Sequence, residues 1–180
     1  MVLLIVSISH QVYAIPPAYR QVSHKYNIPV GLLYAIALTE SGYQYRAVYN
    51  PWPWTLNIEG KAYRFDHPRP MLATLQQAIN NQQSVDIGIM QINWRWHKQR
   101  FDSPRSALDP HINLKTGAEI LVEQYEIAGD WWVAVGRYHA PASNKRAIER
   151  ASQYRQRVKR HWLRITKKLV TERIDYDEYQ

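Results

Sequence analysis

Apolar residues recur along much of this chain at three- and four-residue intervals, the spacing of one face of a helix. Residues 18–26 place Tyr19, Val22 and Tyr26 at that spacing and predict a first short helix. Asn27-Ile28-Pro29 restarts the chain, with Asn27 suited to an N-cap and Pro29 to a first turn. Residues 30–39 are apolar nearly all round, through Leu32, Leu33, Tyr34, Ala35, Ile36, Ala37 and Leu38, which predicts a helix buried in the core. Glu40-Ser41-Gly42 ends it, with Gly42 as the stop.

Residues 43–69 are turn-rich and carry the cluster Pro51-Trp52-Pro53-Trp54. Within them, residues 55–58 and 61–65 flank Glu59-Gly60 and predict a β-hairpin. Residues 70–82 read as a polar helix, residues 84–93 as a loop leading into a helix, and residues 94–101 as a helix broken by Asp102-Ser103-Pro104. Asp109-Pro110 opens another helix whose apolar face is Ile112, Ala118, Leu121, Val122 and Tyr125. Gly129-Asp130 stops it, and residues 131–138 form the next. A long basic helix follows over residues 144–171, striped by Ile148, Ala151, Tyr154, Val158, Trp162, Ile165 and Leu169. The acidic tail, residues 174–180, is expected to fray. The sum is a mostly α domain with one small hairpin.

The first 14 residues have the character of an export signal. Residues 2–8 are a short apolar run, and Val12-Tyr13-Ala14 sets small residues ahead of Ile15-Pro16-Pro17. The other reading is a short N-terminal strand or apolar helix of the fold. Nowhere else do about 18 apolar residues run together, so no membrane-spanning helix is expected.

Composition narrows the partners. The chain of 180 residues suits one domain, and 46% hydrophobic residues are enough for a packed core. Seven Trp and 13 Tyr stand against two Phe. Such rings suit a groove that stacks on sugars, and equally an ordinary core. A net charge of +8 draws the chain to polyanions: nucleic acid, anionic lipid or acidic cell-wall polymer. With no Cys there is no disulfide, thiol nucleophile or thiolate metal site. The seven His (His10, His24, His67, His97, His111, His139 and His161) show no zinc-helix spacing, so no metal is expected. Phosphate loops and serine-nucleophile elbows are absent too, and no cofactor is expected.

Glu40 is the residue with chemistry to offer. Ile36 and Ala37 lie one turn below it on the same helix face, so its carboxylate loses water and its pKa rises. A carboxyl protonated near neutral pH can protonate a glycosidic oxygen. Read alone, it could equally be a helix-end Glu paired with an Arg.

The surroundings resemble one family. Residues 28–42, ending Leu38-Thr39-Glu40-Ser41-Gly42, resemble the glutamate-serine motif of the lytic transglycosylases and goose-type lysozymes. Gly88-Ile89-Met90-Gln91-Ile92-Asn93 is similar to that family's Gly-Leu-Met-Gln segment. Asp109-Pro110-His111-Ile112-Asn113, with Gly117 and Ile120-Leu121, resembles its Asp-Pro, Asn, Gly and Leu pattern. Gly136-Arg137-Tyr138-His139-Ala140 resembles its Ala-Tyr-Asn-Ala-Gly segment. These motifs stand in the family's order over about residues 18–142. His139 replaces the family's usual Asn and Pro141 its Gly. The long stretch between Glu40 and Gly88, with its Trp-Pro-Trp cluster, is similar to transglycosylases encoded with conjugation or pilus machinery.

The resemblance implies a lysozyme-like domain over residues 15–143. The basic helix and acidic tail, residues 144–180, would pack on the same domain. It implies cleavage of peptidoglycan between N-acetylmuramic acid and N-acetylglucosamine. Glu40 would be the acid and then the base, giving a 1,6-anhydro product. Tyr138 would hydrogen-bond Glu40. Ser41 and Gln91 would bind the sugar, Gly88 would let the backbone approach it, and Met90 would keep Glu40 dry. Asn113 would be structural support. Asp86 would be an N-cap, or else a second carboxylate that holds a water and favours hydrolysis. Trp52 and Trp54 would stack on sugar rings, or pin the insertion to the core.

The expected place of work is outside the cytoplasm, in the periplasm, on glycan strands beside a secretion, conjugation or pilus machine. A lysozyme-type hydrolase and a non-catalytic glycan-binding assembly factor are the alternatives. The basic helix, holding nearly half of the 23 Lys and Arg, could meet membrane, wall or partner protein. Nucleic acid is not expected, because an exported protein rarely meets it.

Overall fold

The computed structural model describes residues 15–141 and 143–178, so the expected export signal lies outside the described residues. Helix α1 (Pro17–Lys25) opens on its proline, and its last turn is closed by Asn27 in the left-handed conformation, φ 53°. Asn27 therefore ends α1 and does not cap the next helix. Helix α2 (Leu32–Ser41) begins after Gly31 and continues through Glu40 and Ser41. Every residue from Leu32 to Leu38 is buried, as an all-apolar helix requires. Truncating such a buried leucine to alanine costs about 2–5 kcal/mol.

The stretch after Gly42 holds more strand than its sequence suggests. Strands β1 (Gly42–Tyr45) and β2 (Val48–Pro51) form an antiparallel hairpin, with Tyr43 opposite Asn50. Trp52 N–H donates to the carbonyl of Ser41 at 3.0 Å, and Tyr34 Oη donates to Asn50 Oδ1 at 3.0 Å, which ties the hairpin to α2. Strands β3 (Thr55–Ile58) and β4 (Lys61–Arg64) are the expected hairpin. Both turn residues, Glu59 at φ 50° and Gly60 at φ 85°, are left-handed, the twist that suits a two-residue hairpin loop.

Helix α3 (Pro68–Asn80) buries Met71, Leu75 and Ala78 against this sheet. Residues 84–93 then form β5 (Val85–Ile87) and β6 (Ile92–Asn93), not a helix start. They extend the sheet in the order β4-β3-β5-β6. The cause is pairing: Asp86 sits opposite Asn57 on one side and Asn93 on the other.

Helix α4 (Trp94–His97) runs into a 3-10 turn, Lys98–Arg100, and a second 3-10 turn, Ser106–Leu108, precedes α5. Helix α5 (Pro110–Ala128) is capped by Asp109, whose Oδ1 accepts from the N–H groups of His111 and Ile112 at 2.8 and 3.0 Å. Helix α6 (Trp131–His139) is capped by Asp130. Helix α7 (Lys145–Glu178) is longer than expected, and its backbone takes in residues 174–178 of the acidic tail. It packs on α2 and α6 through Ala147, Tyr154, Val158 and Ile165. It also reaches the first hairpin, where His161 stacks on Tyr49. No helix among the described residues is long and apolar enough to cross a membrane.

Candidate active site

The site gathers at the C-terminal end of α2. Glu40 is the penultimate residue of that helix and only partly open to solvent. Burial pushes its carboxyl up to about 7, and the charge of nearby Asp86 adds to the rise. A hydrogen bond from Tyr154 and the positive charge of Arg157 pull the other way without cancelling it. The Tyr154 hydroxyl donates to Glu40 Oε1 at 2.6 Å.

Tyr154 lies on α7, and its ring is buried. His139 stacks on it face to face, centroids 4.5 Å apart and planes within 2°. Arg157 lies 5.5 Å from the same ring. Burial, then the charges of Arg157 and Arg150, hold the His139 imidazole below its usual pKa, so it is neutral at pH 7. The residue that departs from the family pattern therefore packs on the partner of the acid.

Asp86 is no N-cap, because β5 is a strand and no helix starts there. It receives a hydrogen bond from Asn93 Nδ2 at 2.7 Å. Burial raises its pKa, partly offset by that bond. Glu40 at the end of α2 and Asp86 on β5 are thus two carboxyls raised by burial, and the charge of Asp86 raises Glu40 further.

Residues 88–91 make a tight turn, with Gly88 at φ 76° and Gln91 at φ 47°. Three helices clamp it. From α2, Ser41 Oγ donates to the carbonyls of Ile89 at 2.8 Å and Ala37 at 3.1 Å. From α5, Asn113 Oδ1 accepts from Met90 N–H at 2.9 Å, while its Nδ2 donates to the carbonyls of Ile87 and Ala107 at 2.9 and 3.2 Å. From α6, Tyr138 Oη donates to the carbonyl of Met90 at 2.8 Å. A Cβ on Gly88 would meet the Asn113 amide at 2.7 Å, and one on Gly117 would meet Met90 Cγ at 2.7 Å. Gln91 Nε2 turns back to the carbonyl of Gly88 at 2.8 Å.

These contacts revise several roles drawn from the sequence. Tyr138 donates to Met90 and not to Glu40; α6 aims its hydroxyl at the turn. Ser41 spends its single proton inside the protein and is buried. Gly88 is required by the fold itself, because a Cβ there would overlap the Asn113 amide. Met90 is wholly buried against Gly117. Trp52 pins the insertion: its indole N–H donates to the carbonyl of Phe65 at 2.8 Å, and Tyr43, Tyr45 and Trp54 surround it at 5.4–6.0 Å. Trp54 is half-buried against the core and lines a separate cavity.

Tyr154 was hidden in the apolar stripe of a basic helix. Its signal is that a buried tyrosine needs a partner for its hydroxyl. Among the described residues no cluster of His, Asp or Glu could hold a metal ion.

The protein-family model described as "Transglycosylase SLT domain" matches residues 17–160, which includes Tyr154. Among curated proteins, "Protein IpgF" of Shigella flexneri is 32% identical over 146 residues, covering 78% of this chain and 76% of that protein. "Invasion protein IagB" of Salmonella typhimurium is 39% identical over 72 residues, covering 38% of this chain and 45% of that protein. No solved structure matches the chain significantly.

Proposed function

The chain belongs to the transglycosylase SLT domain family and is a peptidoglycan lytic transglycosylase, and from that premise we propose how it cuts and where it works. The bond broken is the β-1,4 link between N-acetylmuramic acid and N-acetylglucosamine. Glu40 donates its proton to the glycosidic oxygen as the C1–O bond breaks. The carboxylate left behind then takes the proton of the muramic acid 6-hydroxyl as that oxygen bonds to C1. Water is not consumed, and the product carries a 1,6-anhydro ring.

One observation carries this reading. Glu40 has a carboxyl pushed up to about 7, so it can give a proton and take one back near neutral pH. Tyr154 engages Oε1, which leaves Oε2 to carry the transferred proton. Asp86 supports the positive charge that develops at C1, together with the sugar's own acetamido group. A second reading rests on the same residue. Should Asp86 hold a water, the enzyme becomes a hydrolase with lysozyme products. A non-catalytic glycan-binding role is the third.

The substrate lies outside the cytoplasm, and we place the chain there, in the periplasm. One relative is named as an invasion protein. It supports a role in opening the wall locally for an envelope-spanning machine of the secretion, conjugation or pilus kind.

Digestion of purified sacculi by the protein and its Glu40→Gln variant, with products read by mass, tests all of this. Anhydro ends from the parent alone support the transglycosylase mechanism. Reducing ends support the hydrolase. Equal release by both proteins removes Glu40 from the chemistry, and binding without release supports the glycan-binding role.

A further inference from the structure

The net charge of the chain is concentrated on one helix. Residues 145–167 of α7 hold nine Lys and Arg against a single acid, Glu149, and so carry +8, the net charge of the whole chain. The remaining residues balance their Lys and Arg against an equal number of Asp and Glu. A helix so one-sided in charge is drawn to an anionic surface. Its exposed side also carries apolar residues: Ile148 and Leu163 stand 56% and 50% exposed among the basic ones.

Leu163 follows Tyr154 by nine residues, about two and a half turns, so it points away from the side chain that holds Glu40. Lys145, nine residues before Tyr154, lies on the same outer ridge, and Lys159 and Arg160 flank that ridge within about 60°. None of these three cations forms an ion pair among the described residues. Arg150 and Arg157 belong to the inner flank, where their charges reach His139 and that of Arg157 reaches Glu40. At the edge of the outer ridge Trp162 meets Trp132 edge to face, centroids 5.5 Å apart, with Lys159 Nζ 6.0 Å from the Trp132 ring. The backbone of Gly31 borders Trp162, and its neighbour Val30 is 62% exposed.

We propose that this outer face of α7 docks on an anionic lipid bilayer. Lipid phosphates meet Lys145, Lys159 and Arg160, while Ile148, Leu163 and the edge of Trp162 enter the headgroup layer. Long cationic side chains and half-exposed tryptophans suit that interface. The exposed Ile and Leu favour lipid over an acidic glycan, which offers no apolar phase to receive them. Docked this way, α7 carries the bilayer on one side and Glu40 on the other, so the membrane leaves the acid uncovered.

The test is sedimentation of the full chain with vesicles of phosphatidylcholine containing roughly a third phosphatidylglycerol, beside vesicles of phosphatidylcholine alone. Binding to the anionic vesicles is expected to weaken with salt and to exceed binding to the neutral ones about tenfold or more. Lys159→Gln/Arg160→Gln should lose about tenfold in affinity for the anionic vesicles. Ile148→Ser/Leu163→Ser should lose about fivefold or more. All four side chains are exposed and none belongs to the catalytic machinery, so both variants should cleave soluble glycan strands as the parent does, which shows them folded. No binding to either vesicle, equal binding to both, or unchanged affinity in either variant overturns the proposal. So does binding to purified sacculi that the same variants lose while vesicles go unbound, which would assign the face to wall polymer. Cleavage and vesicle binding are read separately, so the failure of one leaves the other standing.

Discussion

Tyr154 Oη lies 2.6 Å from Glu40 Oε1, although 114 residues separate the two in the chain. The bond joins the acid at the end of α2 to a ring on α7 that is itself buried and stacked on His139. It favours the charged carboxylate, while burial and Asp86 favour the neutral acid. The acid's pKa is thus set by opposing influences from different elements, and each can be removed separately.

Because Glu40 must be protonated to act, kcat is expected to fall as pH rises through about 7. Tyr154→Phe removes a bond to the charged form, so the alkaline limb should move to higher pH, with a lower maximal rate from a less well-held acid. Asp86→Asn removes a like charge, so the limb should move to lower pH. Rate profiles of the three proteins on one glycan substrate decide it. Shifts in the same direction would contradict the arrangement.

Stability should follow the same proton. The folded pKa of Glu40 is raised from 4.5 to about 7, so the folded state binds the proton more tightly than the unfolded chain. Its contribution is fully present below about 4.5 and is lost as pH rises through about 7. Glu40→Gln carries no such dependence. Relative to the parent, the variant should gain about 1–3 kcal/mol between pH 4 and pH 8 in urea unfolding.

Gly88→Ala should cost about 2–4 kcal/mol, from a left-handed backbone and an overlap with the Asn113 amide. Asn113→Ala leaves Met90 N–H and the carbonyls of Ile87 and Ala107 without that partner, and about 3–5 kcal/mol is expected. The overlap disappears when both residues are alanine. The double variant should therefore lose less than the two single losses combined, measured by denaturant unfolding.

Ser41→Ala should lower Tm by about 2–8 °C, since the buried carbonyl of Ile89 loses its donor. A serine that served the sugar would instead raise KM and leave Tm unchanged. Thermal unfolding beside glycan kinetics separates the two.

Helix α2 was legible because its apolar residues leave no polar face, and α5 because Asp109 and Gly129 punctuate it. The β3–β4 hairpin announced itself through Glu59-Gly60. Strands β1 and β2 did not, since their residues are mostly exposed or half-exposed and show no alternation. Strands β5 and β6 are three and two residues long, too short for any periodicity. Glu40 could be found from its neighbours and motif, but its hydrogen-bond partner could not. A tyrosine inside a helical stripe looks like core until the helix it faces is known. Asp86 misled for a related reason: a cap and a strand residue are told apart only by what pairs with the backbone.

The position of Tyr154 on α7 also sets an order of assembly. A chain made from its N-terminus carries the acid long before it carries the ring that holds it. Any nascent length ending short of Tyr154 has Glu40 without its donor, and α2 without the helix that covers it. Until α7 has been made, the acid therefore stands without the ring and the helix that complete its surroundings.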